Sequence, residues 1–384
     1  MPDTASSQPA RRGVDVIKDN LKRLPAKPGV YRMFGAKDEV LYVGKARNLK
    51  ARVSNYARLG GHTQRIAAMI ALTARMEFVV TETETEALLL EASLIKSLKP
   101  RFNILLRDDK SFPYILIRRD HDYPQILKYR GSKQDRGDYF GPFASAGAVT
   151  RTLDTLQKAF LLRTCEDSVF SVRSRPCMLH QIKRCSAPCV GKVSEAEYTQ
   201  LANQAADFLK GKSGDLQAEL ARDMEAAAEA MDFERAASLR DRIRALAHVR
   251  AQQDVNPDGI EEADIFAIAM EGGQSAVQVF FIRANQNWGN RDFYPRVGED
   301  VAPAEVLEAF IGQFYAQKEP PRLLLLSHGI EDEDLMVDLL SEKRGRKVEI
   351  AVPQRGEKAE LIEHAARNVD VDLGAAPKLV RLLG

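Results

Sequence analysis

The chain has 384 residues, enough for two or three domains, and an ordinary 45% apolar content. Its net charge of +2 excludes a generic polycation, and no apolar run approaches the roughly 20 residues that span a bilayer. The charge is uneven, however: Val40 to Met76 holds seven Lys/Arg and no Asp/Glu, which points to a local polyanion site. The opening "MPDTASSQPARRG" is polar and lacks the apolar stretch of a secretory signal, so a cytoplasmic location is expected, with the four cysteines reduced.

Residues 1–27 read as a loose arm carrying a short helix, and residues 28–105 alternate strand and helix. "GVYRMF" and "VLYVGK" have the composition of paired strands, "RNLKARVSNYAR" and "TQRIAAMIALTAR" that of helices, and "MEFVVT" that of a further strand. "TETEALLLEASLIKSL" predicts a helix opened by a Thr83/Glu86 capping box and stopped at Pro100. In the connector 106–164, "SFPYILI", "QILKYR" and "GDYFGPF" read as short strands, followed by a helix near 146–161. A cysteine-rich segment spans 165–192. The region 193–252 reads as long charged helices, roughly 195–230 with a break at "GKSGD", then roughly 233–250, and "QQDVNPDG" as a linker. From 260 to 384, "DIFAIAM", "AVQVFFIR" and "DFYPRV" suggest three strands, and helix, strand, helix, strand, helix follow.

Glu91 falls in the apolar stripe of its helix, among Ala87, Leu88, Leu94, Ile95 and Leu98. A carboxylate there needs a partner, and both an arginine and a metal ion satisfy that need. Tyr31 and Tyr42 are ordinary strand residues, and Lys45, Arg47, Lys50 and Arg52 singly make a solvated helix face. Together they match the needs of phosphodiester hydrolysis: a base for water, a cation on the phosphate, and a metal or acid for the leaving oxygen. A tyrosine serves as the base only if its pKa is lowered, which an adjacent ammonium can do.

"GVY" at 29–31 and "YVG" at 42–44 resemble the GIY-YIG nuclease signature. The continuation "GKARNLKARVSNY", with "EALLLEASLIKSLKPRFNI" further on, resembles the N-terminal domain of the UvrC family of excision nucleases. The resemblance implies that Tyr31 and Tyr42 flank the attacking water, that Lys45 lowers a tyrosine pKa, and that Arg52 holds the scissile phosphate with support from Tyr56. It implies that Glu91 is the protein ligand of one divalent cation, magnesium or manganese, and that Asn103 completes the site. Arg47, Lys50 and Arg58 are then expected to contact DNA.

Cys165, Cys177, Cys185 and Cys189 form a C-x11-C-x7-C-x3-C pattern that contains every cysteine of the chain. Four thiols gathered in a reducing compartment point to a metal site, and these spacings are not those of a standard zinc ribbon. A [4Fe–4S] cluster is the first choice and zinc the second. His180, inside the window, is read as a bystander.

"ELARDMEAAAEAMDFERAASLRDRIRALA" at 219–247 reads either as a solvated helical hairpin or, by its resemblance to the UVR motif, as a hairpin that docks on UvrB, with Phe233 as the apolar anchor. The last region has the element order of an RNase H-like fold without its metal-binding acids, Asp264 being expected only to precede the first strand, so it is read as structural. The expected architecture is therefore multidomain α/β: a small GIY-YIG nuclease domain, a Cys-rich segment, a UVR hairpin and an RNase H-like domain without catalytic carboxylates. In this family a catalytic RNase H-like half and a helix-hairpin-helix tail lie beyond the point where this chain stops. The implied function is incision 3′ to a lesion in damaged double-stranded DNA, in complex with UvrB and away from membranes. A shorter stand-alone 3′ nuclease and a non-catalytic adaptor between UvrB and DNA are the alternatives.

Overall fold

The structure is a computed structural model that describes residues 13–58, 60–106, 112–131, 133–211, 213–251, 259–298, 300–316 and 318–380. The start of the expected N-terminal arm and nearly all of the expected 252–259 linker lie outside these residues. After α1 (Gly13–Leu21), strands β1 (Gly29–Phe34), β2 (Val40–Ala46) and β3 (Arg75–Val80) form an antiparallel sheet in the order β2-β1-β3. Between β2 and β3 come α2 (Leu49–Tyr56) and α3 (Gln64–Leu72), and α4 (Glu84–Leu98) follows.

Period-2 alternation assigns the two faces of this sheet. Tyr31 and Met33 pack with α1, α2 and α3 through Ile17, Leu49, Val53, Met69 and Ile70. Val30 and Val43 pack on the other face against Ala87 and Ile95 of α4. The α4 cap forms in half: Thr83 Oγ1 accepts from Glu86 N–H at 3.1 Å, while the Glu86 carboxylate reaches back to the Glu82 N–H rather than to Thr83. Lys99 ends the helix in the left-handed conformation, directly before Pro100.

The connector forms a second antiparallel sheet, β5-β4-β6 (Tyr114–Arg118, Gln125–Tyr129 and Gly137–Phe140 in chain order β4 to β6), covered by α5 (Ala146–Phe160). Two short helices, α6 (Asp167–Ser171) and α7 (Met178–Gln181), and one 3₁₀ turn at 188–190 carry the cysteine segment. Next come α8 (Glu195–Leu209), α9 (Ser213–Glu229) and α10 (Phe233–Ala251), so the break expected at "GKSGD" and the one at "MDFE" are both present. The last domain runs β7 (Glu262–Glu271), β8 (Gln274–Arg283), β9 (Gln286–Phe293), α11 (Pro303–Tyr315), β10 (Leu323–Leu326), α12 (Glu333–Arg344), β11 (Glu349–Ala351) and α13 (Glu357–Val380), with sheet order β11-β10-β7-β8-β9.

Two sequence expectations need correction here. The third strand of the last domain is "QNWGNRDF", not "DFYPRV". It is an edge strand reached through the positive-φ pair Ala284–Asn285, and an edge strand tolerates a polar, glycine-containing sequence. Asp264 lies inside β7 rather than before it, because the ladder with β8 already begins at Glu262↔Arg283. Its buried carboxylate accepts from Arg283 Nη1 at 2.7 Å and from Tyr315 Oη at 2.5 Å.

The largest core joins the connector, α8 to α10 and one face of the last sheet, and Phe143 stacks on Trp288 of β9 at 4.6 Å. Leu88 of α4 and Ile104 enter the same core, so the first domain seats on the rest of the chain. Gln313 of α11 fixes this junction: its amide accepts from Leu106 N–H and donates to the Ile104 carbonyl, both at 3.0 Å. The apolar seat contributes more than these two hydrogen bonds, at about 1.5–3 kcal/mol for each fully buried large side chain.

Candidate active site

Three phenols meet at one end of the first sheet. Tyr31 stands opposite Gly44 in the β1–β2 ladder, and Met33 opposite Tyr42. Tyr31 and Tyr42 therefore project from the same face, with ring centroids 6.2 Å apart. Tyr56, the last residue of α2, shares a 2.7 Å Oη–Oη hydrogen bond with Tyr31. Gly44 makes this packing possible, since a Cβ there would stand 2.4 Å from Tyr31 Oη and 2.9 Å from Tyr42 Cε1. Gly29 serves the strand pairing in the same way: its Cβ would stand 2.3 Å from the Val79 carbonyl oxygen.

Burial pushes Tyr31 and Tyr42 well above the ordinary phenol value, and the charge of a neighbouring Tyr56 phenolate would add to this in both cases. Arg52, exposed on α2, works against the rise in both, and its own charge is held chiefly by Tyr31. The expectation that Lys45 lowers a tyrosine pKa is not met. Residues three apart on a strand face opposite sides, so Tyr42 points toward α2 and Lys45 away from it. The Lys45 ammonium pairs instead with Asp332, at the start of α12, and lies 3.3 Å from Glu308 Oε1 of α11. Burial works against its charge, but Asp332, Glu308 and Glu91 together raise its pKa.

Glu91 is the carboxylate of the site. Its Oε1 accepts from the Lys45 backbone N–H at 2.8 Å. Burial pushes its pKa up to about 7; Lys45 and that N–H work downward, Glu308 upward, and Arg52 downward again. The group is poised between protonated and charged forms near neutrality, and a divalent cation would hold it as the carboxylate.

Asn103 is buried, and both ends of its amide are used by one residue. Its Oδ1 accepts from Val43 N–H and its Nδ2 donates to the Val43 carbonyl, each at 2.8 Å. It clamps β2 in place beside Gly44 and Lys45, which makes it a positioning residue. Arg47 pairs with Glu84 at 2.9 Å on the surface, a contact worth little. Lys50 and Arg58 are exposed.

Sequence reading gave no role to Arg65, Glu305, Glu308, Asp332 or His62. Arg65 of α3 donates to the Phe102 carbonyl at 2.6 Å, pairs with Glu305 of α11, and brings positive charge toward Tyr42. The His62 ring lies 6.1 Å from that of Tyr56. Arg65 belongs to the acid-free basic run, which was the one available signal; the acids of α11 and α12 are distant in sequence and carried none.

The four cysteines are free thiols close enough to influence one another. Burial pushes Cys185 up to about 11, and the charges of Cys177, Cys165 and Cys189 would push it further. Burial likewise raises Cys189. His180 Nδ1 lies 3.0 Å from the Cys185 carbonyl, in keeping with a bystander. Among the described residues, no three His, Cys, Asp or Glu side chains stand at metal-holding distance. Cys185 is buried and the other three are half-buried, and once deprotonated such sulfurs are donors that suit a metal centre. Phe233 opens α10 and is 69% exposed, after a left-handed Met231 that is 77% exposed. Among the described residues no helix is long and apolar enough to cross a membrane.

Comparison with known proteins agrees with this layout. The UvrC-like GIY-YIG domain matches residues 27–104, the middle domain of UvrC/Cho excinucleases 112–208, the UvrB/UvrC motif 214–248, and the UvrC ribonuclease H-like domain 262–375. UvrABC system protein C of Hyphomonas neptunium is 71% identical over 93% of this chain, and that of Ruegeria pomeroyi 64% identical over 96%. The chain spans 58% and 59% of the length of these two relatives. Among solved structures, the GIY-YIG N-terminal endonuclease domain of UvrC from Thermotoga maritima, bound to magnesium as its catalytic divalent cation, is 33% identical, with a TM-score of 0.21; the match covers 23% of this chain and 94% of that one. With four successive UvrC domains recognised between residues 27 and 375, and relatives above 60% identical over nearly all of its length, the chain belongs to the UvrC family.

Proposed function

We propose that this chain cuts DNA 3′ to a lesion, as the UvrC-type nuclease of nucleotide excision repair, in a cytoplasmic complex with UvrB. The observation that carries the reading is the convergence of Tyr31, Tyr42, Tyr56, Arg52 and Glu91 at one end of a three-stranded sheet. Glu91 would hold a divalent cation, magnesium or manganese, which supplies charge for the leaving 3′-oxygen. Arg52 would bind the scissile phosphate, where a fixed guanidinium favours the developing charge. The Tyr31–Tyr56 hydrogen bond gives a path for moving a proton from one phenol to the other. Because burial holds Tyr31 and Tyr42 neutral, a phenol would become a base only once a bound cation or phosphate-bound Arg52 offsets that burial. Asn103 would act through the Val43 backbone. Lys50 and Arg58 would lie along the DNA, and Arg47 would join them on leaving Glu84.

The test is incision of an end-labelled, lesion-bearing duplex with magnesium, with and without UvrB. A cut on the 3′ side that requires UvrB supports the reading; an intact duplex under both conditions contradicts it. For the partner, Phe233 is the apolar anchor offered at the hairpin turn. Phe233→Ala should weaken UvrB binding by about 2 kcal/mol or more in titration calorimetry, and an unchanged affinity would move the interface elsewhere.

The reading also gives Cys165, Cys177, Cys185 and Cys189 one metal centre, a [4Fe–4S] cluster in preference to zinc. Anaerobic purification followed by metal analysis decides. Iron with brown colour is expected, stoichiometric zinc would select the second choice, and absence of both would return the cysteines to reduced thiols.

A further inference from the structure

We infer that the face formed by α6, α7 and the turns around them is a second DNA-backbone contact, separate from the nuclease site. The inference rests on the DNA-cleaving reading above. In the whole sequence three acid-free stretches carry five or more cations. Two of them, Asn20–Lys37 and Val40–Met76, lie in the first domain, and the second of these builds the nuclease site. The third is Ser168–Ser194, with Arg173, Arg175, Lys183, Arg184 and Lys192.

The structure sorts these five. Arg184 pairs with Asp154 of α5 at 3.1 Å, and Lys183 lies near enough to Asp241 of α10 to help hold it ionised. Arg173, Arg175 and Lys192 are exposed, and among the described residues no acid pairs with them. Along this segment of chain, apolar side chains are interspersed with the cations, with Val172 78% exposed, Met178 72% and Ile182 54%. Exposed aliphatic groups beside unpaired cations are unusual on a surface that meets only water.

Charge complementarity selects the occupant. The acids on this face are Glu166, Asp167, which Arg118 and Arg163 hold, and Asp154, which Arg184 holds, so the unpaired Arg173, Arg175 and Lys192 leave it net positive. A duplex accepts both features: arginines and lysines bind phosphates while aliphatic groups lie against the sugars and the groove. The side chains named lie in the Cys-rich segment but include none of its cysteines.

The experiment is a fluorescence-anisotropy titration of a labelled undamaged duplex with the full chain, in magnesium-free buffer, over a range of salt concentrations. Each phosphate contact adds about 0.9 to the slope of log affinity against log salt. The triple variant R173Q/R175Q/K192Q should lower that slope by about 2–3 and weaken binding at least tenfold at low salt. R173K/R175K keeps the charges and should keep the slope. V172S/I182S should weaken binding by about threefold at unchanged slope. Wild-type protein without measurable duplex affinity would overturn the DNA-cleaving reading itself. Wild-type binding with an unchanged slope in the triple variant would overturn this inference alone. So would an unchanged slope together with weakened UvrB binding, which would make the face a protein contact. Circular-dichroism melting of each variant checks that these exposed substitutions leave the fold intact.

Discussion

Glu91 and Asp264 are carboxylates withdrawn from water in two α/β domains of one chain, and their surroundings are opposite. Among the described residues Glu91 accepts one hydrogen bond, from the Lys45 backbone, and its pKa is pushed up to about 7 chiefly by burial. Asp264 accepts on both oxygens, from Arg283 at 2.7 Å and Tyr315 at 2.5 Å. Burial works against the Arg283 charge, yet Asp264 raises its pKa, and burial followed by Asp264 pushes the Tyr315 phenol upward. A buried carboxylate is available to an added cation only where the protein has not already supplied one. The first domain leaves its carboxylate under-satisfied, and the RNase H-like domain uses its own as a fastening between β7, β8 and α11.

The comparison breaks most visibly at Glu91. Glu91→Gln keeps the shape and should lower magnesium-dependent incision by at least about a thousandfold, since the cation supplies several kcal/mol to the leaving group. Its urea-unfolding free energy should stay within about 1 kcal/mol of wild type, because no buried partner is stranded. Near wild-type cutting would remove Glu91 from the chemistry.

The next effect is one of stability. Asp264→Ala strands a buried guanidinium and should cost about 3–5 kcal/mol in urea unfolding. Replacing Arg283 by Met in the same chain should recover much of that loss, since an apolar pair of similar volume replaces an ion pair at little cost. A loss below about 1 kcal/mol in the single variant would mean that the Asp264–Arg283–Tyr315 group does not fasten the domain.

These two carboxylates also mark how far the sequence could be read. That Tyr31, Tyr42, Arg52 and Glu91 would gather was legible because strand alternation, one helix and an acid-free run all fall within 70 residues of chain, while Tyr56 entered only through the family resemblance. The domain order was legible from element order, and the hairpin from its "MDFE" break. What escaped depends on contacts between distant segments. Lys45 was assigned to a tyrosine, and the ammonium instead meets an aspartate 287 residues away. Asp264 was placed outside its strand because the ladder that includes it needs Arg283 as partner. Strand β9 was displaced because an edge strand carries little apolar pattern. Asn103 was legible as part of the site but not as a backbone clamp, since its partner Val43 lies 60 residues earlier.

The smallest expected effect concerns pH. A group whose pKa is raised to about 7 is protonated below that value, and a proton competes with a cation for the same oxygens. Magnesium affinity should therefore fall about tenfold per pH unit below 7 and level off above it. Glu308 contributes to the raised pKa, so Glu308→Gln should move that break to lower pH and raise magnesium affinity at pH 6. An unmoved break would show that Glu308 and Glu91 are not coupled in solution.

The most direct test of the central contrast is manganese binding, followed by electron paramagnetic resonance of the free ion, in wild type, Glu91→Gln and Asp264→Asn at pH 8. One Mn²⁺ ion should bind to wild type, the site should be lost in Glu91→Gln, and Asp264→Asn should retain it with unchanged affinity. Binding that survives Glu91→Gln, or disappears in a folded Asp264→Asn, would contradict that contrast.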